Sequence, residues 1–214
     1  MQSKITRKTK DLIDLNSEMF VINIPHNADW LTGTTGTGSA NKFVTAQTIA
    51  TGTTSGSEAF ASYHIISPKS FANAMSKFNL DIKNIFSFLG WSYSNLTDGI
   101  VNIKFGYDVR NGGELDTIGF GLKIDNYNLY GLIHDGTTLQ EIDLNYTIEY
   151  RQVYKFDIIF GNGKIDWRLN NQSLLLTDLN LPSFAGDITF GIRNTSATDC
   201  DFRFNSPKLI NGGS

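Results

Sequence analysis

The sequence predicts an all-β chain folded as a two-sheet antiparallel β-sandwich of the jelly-roll type. Three observations carry that reading. Apolar side chains recur at every second position in one segment after another, the period at which a strand buries one face and wets the other. The breaks between segments hold Asn-Gly, Asp-Gly and Asn-Asn pairs, the residues that tight turns demand. Helical periodicity is scarce, and 214 residues suit one sandwich domain.

Residues 1–24 stand apart as an N-terminal arm or first strand, ahead of a sandwich domain over 25–214. Lys4, Arg7, Lys8 and Lys10 cluster, and Phe20, Val21, Ile22 and Ile24 read as a strand before Pro25. The segment is either a solvated tail with a first strand or an arm that docks on a partner or another subunit. Two Thr/Gly/Ser-rich stretches then flank Lys42–Ile49, which reads as loop, strand, loop. They lack the Gly-Lys-Ser/Thr ending of a phosphate cradle. Lys69 to Lys77 reads as a loop or a turn or two of helix.

Alternation dominates beyond residue 78. Phe78, Leu80 and Ile82 share a face, as do Val101, Ile103, Phe105 and Tyr107, then Ile118, Phe120, Leu122 and Ile124. Tyr154, Phe156, Ile158 and Phe160 follow, then Ile165, Trp167 and Leu169, then Ile188, Phe190 and Ile192, then Phe202 and Phe204. Turns fall at Asn111-Gly112-Gly113, Asp135-Gly136, Gly161-Asn162-Gly163 and Asn170-Asn171. One face buried and one wet is the mark of antiparallel sheets.

Composition narrows the function classes. A net charge of −3 without a basic field gives no footing for nucleic acid. No apolar stretch has the length of a membrane span, and no apolar run follows the basic N-terminal residues, so no cleavable leader is expected. Cys200 is the single cysteine, read as a small buried residue rather than a nucleophile.

Tyr154–Phe160, the Gly161-Asn162-Gly163 turn and Lys164–Asn171 together resemble the strand, hairpin, strand unit of concanavalin A-like and laminin G-like domains. Leu181-Pro182 and Asp187–Asn194 resemble the segment that follows it. Ile118-Gly119-Phe120-Gly121-Leu122 resembles the central Gly-Phe-Gly strand of such domains in tailed-virus fibre and capsid proteins. The resemblance spans roughly residues 28–210 and implies a lectin/glucanase-type jelly roll. That family includes lectins, carbohydrate-binding modules, retaining glucanases and virion domains, so the fold does not choose among them.

Each candidate site has two readings. Retaining glucanases of this fold carry Glu-x-Asp-x-x-Glu on one strand, which places two carboxyl groups about 5 Å apart across the sugar. Here Glu114 and Asp116 fill the first two positions, but Gly119 stands where the acid/base belongs. No catalytic residue is therefore assigned, and the chain is read as non-enzymatic. Trp30, beside a loop, is the best candidate for stacking on a sugar ring. Trp91 and Trp167 share faces with apolar neighbours and read as core. Asn126, Tyr127, Asn128, Tyr130 and His134 crowd one segment; they form a polar-aromatic patch if the sheet face is open, and an ordinary hairpin otherwise.

The resemblance implies Ca²⁺ by analogy only. Asp98, Asp108, Asp166 and Asp187 are scattered, and His26, His64 and His134 show no zinc spacing, so no metal or other cofactor is assigned. The reading that gathers these points is a virion surface or fibre protein. Its sandwich would serve assembly, attachment to host glycans, or both, on a virion or outside a cell. The expected partners are carbohydrate or other virion proteins, with a homo-oligomer expected from the prevalence of symmetric assembly. A free lectin is the first alternative and a glycoside hydrolase the second.

Overall fold

The computed structural model describes residues 20–23, 30–42, 46–64, 80, 83–93, 95–106, 115–181 and 187–212. In chain order the strands are β1 (Phe20–Asn23), β2 (Leu31–Thr35), β3 (Ser39–Lys42), β4 (Gln47–Ala50) and β5 (Glu58–His64). Then come β6 (Lys83–Trp91), β7 (Gly99–Gly106), β8 (Gly119–Asp125), β9 (Asn128–His134) and β10 (Leu139–Thr147). The last are β11 (Tyr154–Gly161), β12 (Lys164–Leu169), β13 (Gln172–Asp178), β14 (Asp187–Asn194) and β15 (Asp201–Gly212). No helix occurs among the described residues.

Two antiparallel sheets form a sandwich, as the alternation predicts. One runs β13-β12-β11-β6-β15-β4-β3, with β1 also paired to β15; the other runs β10-β9-β8-β7-β14-β5-β2. The turn residues do what their chemistry allows. Asn162-Gly163 and Asn170-Asn171 each close a two-residue hairpin with both φ angles positive, the form that matches strand twist. A third such hairpin closes at Asn126-Tyr127 between β8 and β9.

Aromatic rings run through the core. Phe86 meets Phe105 edge-on at 4.7 Å, Phe190 stacks on Phe204 at 3.7 Å, and Phe120 lies 4.6 Å from Phe160. These contacts tie the sheets face to face, since Phe86, Phe160 and Phe204 come from one sheet and Phe105, Phe120 and Phe190 from the other. Trp167 reaches across from β12, and its Nε1 donates to the Gly121 carbonyl at 2.7 Å.

Two strand expectations are corrected. β7 is buried along its whole length, not on one face. Its outward Asn102 and Lys104 are fully buried. It is a central strand, and its sheet's outer face is partly covered, where Leu115 packs on Leu132 and Leu139. Leu80 sits in a turn rather than a strand, its carbonyl accepting from the Asn162 amide at 2.7 Å. Phe78, Ile82, Tyr107, the Asn111-Gly112-Gly113 turn, Lys69 to Lys77 and residues 1–19 lie outside the described residues.

Candidate functional site

The residues singled out from sequence do not converge. Trp30 is 4% exposed, so neither ring face is open to a sugar. It is wedged against Tyr63, Phe190 and Phe204 at 5.4–5.9 Å, and the loop beside it does not expose it because the indole fills the space between the sheets.

Asn126 and Tyr127 are the two turn residues of the β8–β9 hairpin. The Tyr127 hydroxyl accepts from the Leu96 amide at 3.0 Å and bonds Asn95 at 3.3 Å, and its carbonyl accepts from the Ile148 amide at 2.9 Å. Tyr127 is therefore committed to bracing neighbouring loops. Asn128 accepts from Thr147 at 2.7 Å. Tyr130 is half-buried under Lys123, whose ammonium lies 5.4 Å from the ring centroid and pairs with Glu141 at 3.0 Å and Asp125 at 3.2 Å. Burial pulls the Lys123 pKa down, but hydrogen bonds to Glu141 and Asp125 outweigh it, and the net direction is up. His134 is buried at the far end of β9, where its Nδ1 accepts from the Gly136 amide at 3.0 Å. Six residue steps along the strand, about 20 Å at the usual rise, separate it from Asn128 at the other end of β9.

The glucanase-like triplet does not form on a strand. β8 begins at Gly119, Asp116 is an exposed residue ahead of it, and Glu114 lies outside the described residues. Gly119 itself is packed so closely on β7 that a Cβ there would run into the Phe105 carbonyl oxygen. Among the described residues no three His, Cys, Asp or Glu side chains cluster as metal ligands would. Asp98 is exposed and accepts from Ser196 at 2.9 Å, Asp166 is held by Arg168 and Ser173, and Asp187 is buried. His26 and Asp108 lie outside the described residues.

Cys200 is fully buried, with Sγ 3.3 Å from the Thr97 carbonyl, and burial pushes its thiol up to about 11. The nucleophile is the thiolate, so the native protein should resist Ellman's reagent at pH 8 and titrate one thiol only when denatured. Rapid native labelling would contradict this placement.

The open chemistry lies elsewhere, on the outer face of the β13–β3 sheet. Phe86 and Phe88 point from β6 into the core, so Ile85, Ser87, Leu89 and Trp91 point out. Trp91 is half-buried, not core, which corrects its sequence reading. Just past β6, Tyr93 is 48% exposed, and Tyr150 in the β10–β11 turn is 46% exposed. Arg151 joins them: its guanidinium carbon lies 4.9 Å from the Tyr93 ring centroid and 4.8 Å from that of Tyr150. Arg203, opposite Trp91 in the β15–β6 register, lies 4.4 Å from the Tyr93 ring.

This corner is held firmly. Buried Asp201 accepts from the Tyr93 amide at 3.0 Å and from Ser92 at 3.3 Å, and faces Arg203 Nε at 3.5 Å. Arg151 donates its amide to the Ser92 carbonyl and Nε to the Tyr93 carbonyl, both at 3.2 Å. Buried Ile148 anchors the same turn, which the Tyr154 hydroxyl braces by accepting from the Glu149 amide. A shallow groove of about 240 Å³ continues along the sheet, lined by Ile85, Ser87, Lys155, Asp157, Ile159, Arg168, Asn171 and Ile210. Along its floor Lys155 joins Asp157 at 2.9 Å and Asn171 at 2.8 Å. The result is exposed aromatic rings beside fixed polar groups on a rigid sheet, an arrangement able to stack a sugar ring and bond its hydroxyls.

No protein-family model matches the sequence, and no curated protein matches it. Solved structures do resemble the fold. A protein of unknown function from Shewanella oneidensis MR-1 aligns with TM-score 0.63 at 14% identity, over 100% of this chain and 94% of that one. The carbohydrate recognition domain of Emp47p aligns with TM-score 0.57 at 16% identity, over 90% and 91%. The β-glucanase of Bacillus licheniformis aligns with TM-score 0.57 at 10% identity, over 91% and 98%. At such identities the likeness is one of fold, and the fold is a lectin/glucanase-type jelly roll.

Proposed function

We propose that this chain is a non-enzymatic glycan-binding sandwich, displayed on a virion surface or fibre or otherwise outside a cell. The observation that carries the binding reading is the corner formed by Trp91, Tyr93, Tyr150, Arg151 and Arg203. Two tyrosine rings nearly half exposed flank the Arg151 guanidinium there, and the backbone of Tyr93 is pinned by its amide donating to buried Asp201. Rigid aromatic surface loses little entropy on binding and suits the apolar face of a pyranose. The non-enzymatic reading draws on Gly119, whose packing leaves no room for the missing acid/base. The virion setting draws on the resemblance of the Gly-Phe-Gly strand.

A glycan array probed with the full chain, with and without Ca²⁺, tests the proposal. Reproducible binding to a defined sugar class is expected. Tyr93→Ala should weaken it about three- to ten-fold, the equivalent of roughly 0.5–1.5 kcal/mol for a lost ring contact. Silence across the array under both conditions would overturn the glycan reading and leave an assembly role.

A further inference from the structure

We infer that the sugar taken at this corner is an acidic one, bound through its carboxylate by Arg151 with its ring lying against Tyr93 and Tyr150. The inference rests on the glycan-binding reading and names the ligand class for the same site.

Three observations point to it. The first is the backbone of Arg151, which sits at φ 60°. A bulky residue in the left-handed region is uncommon and strained, and such residues collect at ligand sites. Nothing in the hairpin requires arginine there; glycine or asparagine would take the turn with less strain.

The second is how the side chain is held. Stacking against two tyrosine rings and the bond from Nε to the Tyr93 carbonyl fix the guanidinium plane. A fixed guanidinium is pre-organised for the two parallel N–H···O bonds that a carboxylate accepts.

The third is what does not pair with it. Arg168 is matched by Asp166, and Arg203 faces Asp201. Arg151 forms no ion pair among the described residues, and Glu149, two positions away on its own turn, does not close on it. An exposed, immobilised cation with no ion pair among the described residues, on a chain of net charge −3, is a seat for an external anion. The flanking rings select an anion carried on a ring with an apolar face.

Isothermal titration of the full chain with 3′-sialyllactose and trigalacturonate, against neutral lactose and the methyl-esterified trigalacturonate, tests the idea and separates two sources of carboxylate. One acidic ligand should bind at least about ten-fold more tightly than its neutral counterpart, the factor that one charge-assisted hydrogen bond supplies. Arg151→Gly fits the φ without strain, so it should keep the fold, checked by its thermal unfolding midpoint, and lose the acidic preference. Arg151→Lys keeps the charge but not the fork and should retain only part of it. If acidic and neutral sugars bind equally, or if Arg151→Gly keeps the preference, the acidic inference falls and glycan binding stands. If none of the four sugars binds and the array is silent as well, both fall.

Discussion

Replacing Trp167 with alanine is expected to remove about 3–5 kcal/mol of stability, the range for deleting a buried aromatic side chain. The indole is 1% exposed and lies against Gly131, where a Cβ would stand 2.7 Å from the ring. The cavity cannot refill easily, because the residue facing it has no side chain to offer. The substitution also strips the Gly121 carbonyl of its cross-sheet donor. Trp167→Phe isolates that second loss: it keeps most of the volume and should cost about 1–2 kcal/mol for the hydrogen bond. Since whole domains hold only about 5–15 kcal/mol, the alanine variant should unfold at a much lower urea concentration. A change under about 1 kcal/mol would mean that Trp167 does not join the sheets as described.

The second large effect concerns Gly119. Writing glutamate there completes the glucanase-like spacing with Glu114 and Asp116, yet the expected result is loss of folded protein rather than gain of hydrolysis. Overpacking a core usually costs about 1–3 kcal/mol, and that figure assumes side chains that can yield. At Gly119 the obstacle is the Phe105 carbonyl on the paired strand, so even Gly119→Ala should reach the upper end of the range. Urea unfolding of Gly119→Ala and Gly119→Glu, with a β-glucan hydrolysis assay on any soluble material, reads both parts. A stable, hydrolytic Gly119→Glu would show that the chain sits one substitution from an enzyme.

The fold was legible because it is written in a period of two, and two-residue turns announce themselves as Asn-Gly or Asn-Asn. The outward face of β6 was harder to read. Ile85, Leu89 and Trp91 look as apolar as Phe86 and Phe88, and only Ser87 and Lys83 on one side, with Gly90 on the other, tell the two apart. Gly90 belongs to the core face because the Phe202 ring occupies its side-chain space. Trp30 misled for the opposite reason: a tryptophan beside a Gly-rich loop looks exposed, and nothing local reveals that it inserts between sheets contributed by residues some 30 to 170 positions away. The Tyr93–Tyr150–Arg151–Arg203 corner joins three separated stretches of chain, so no short motif could contain it. The one local hint was Glu149-Tyr150-Arg151-Gln152, an aromatic beside a cation in a polar break between strands, where binding residues tend to gather.

The position of β15 sets an order of events. It lies between β6 and β4 and also pairs with β1, so the strands before and after it in that sheet become neighbours only through residues 201–212. While the ribosome is still making those residues, β3 and β4 have no route into the sheet, and the edges of β4 and β6 are bare. Pairings this distant along the chain form slowly, and bare edges are where nascent chains stick to one another. A chain cut before residue 201 therefore leaves β4 and β6 without the neighbour they share, and that sheet cannot close.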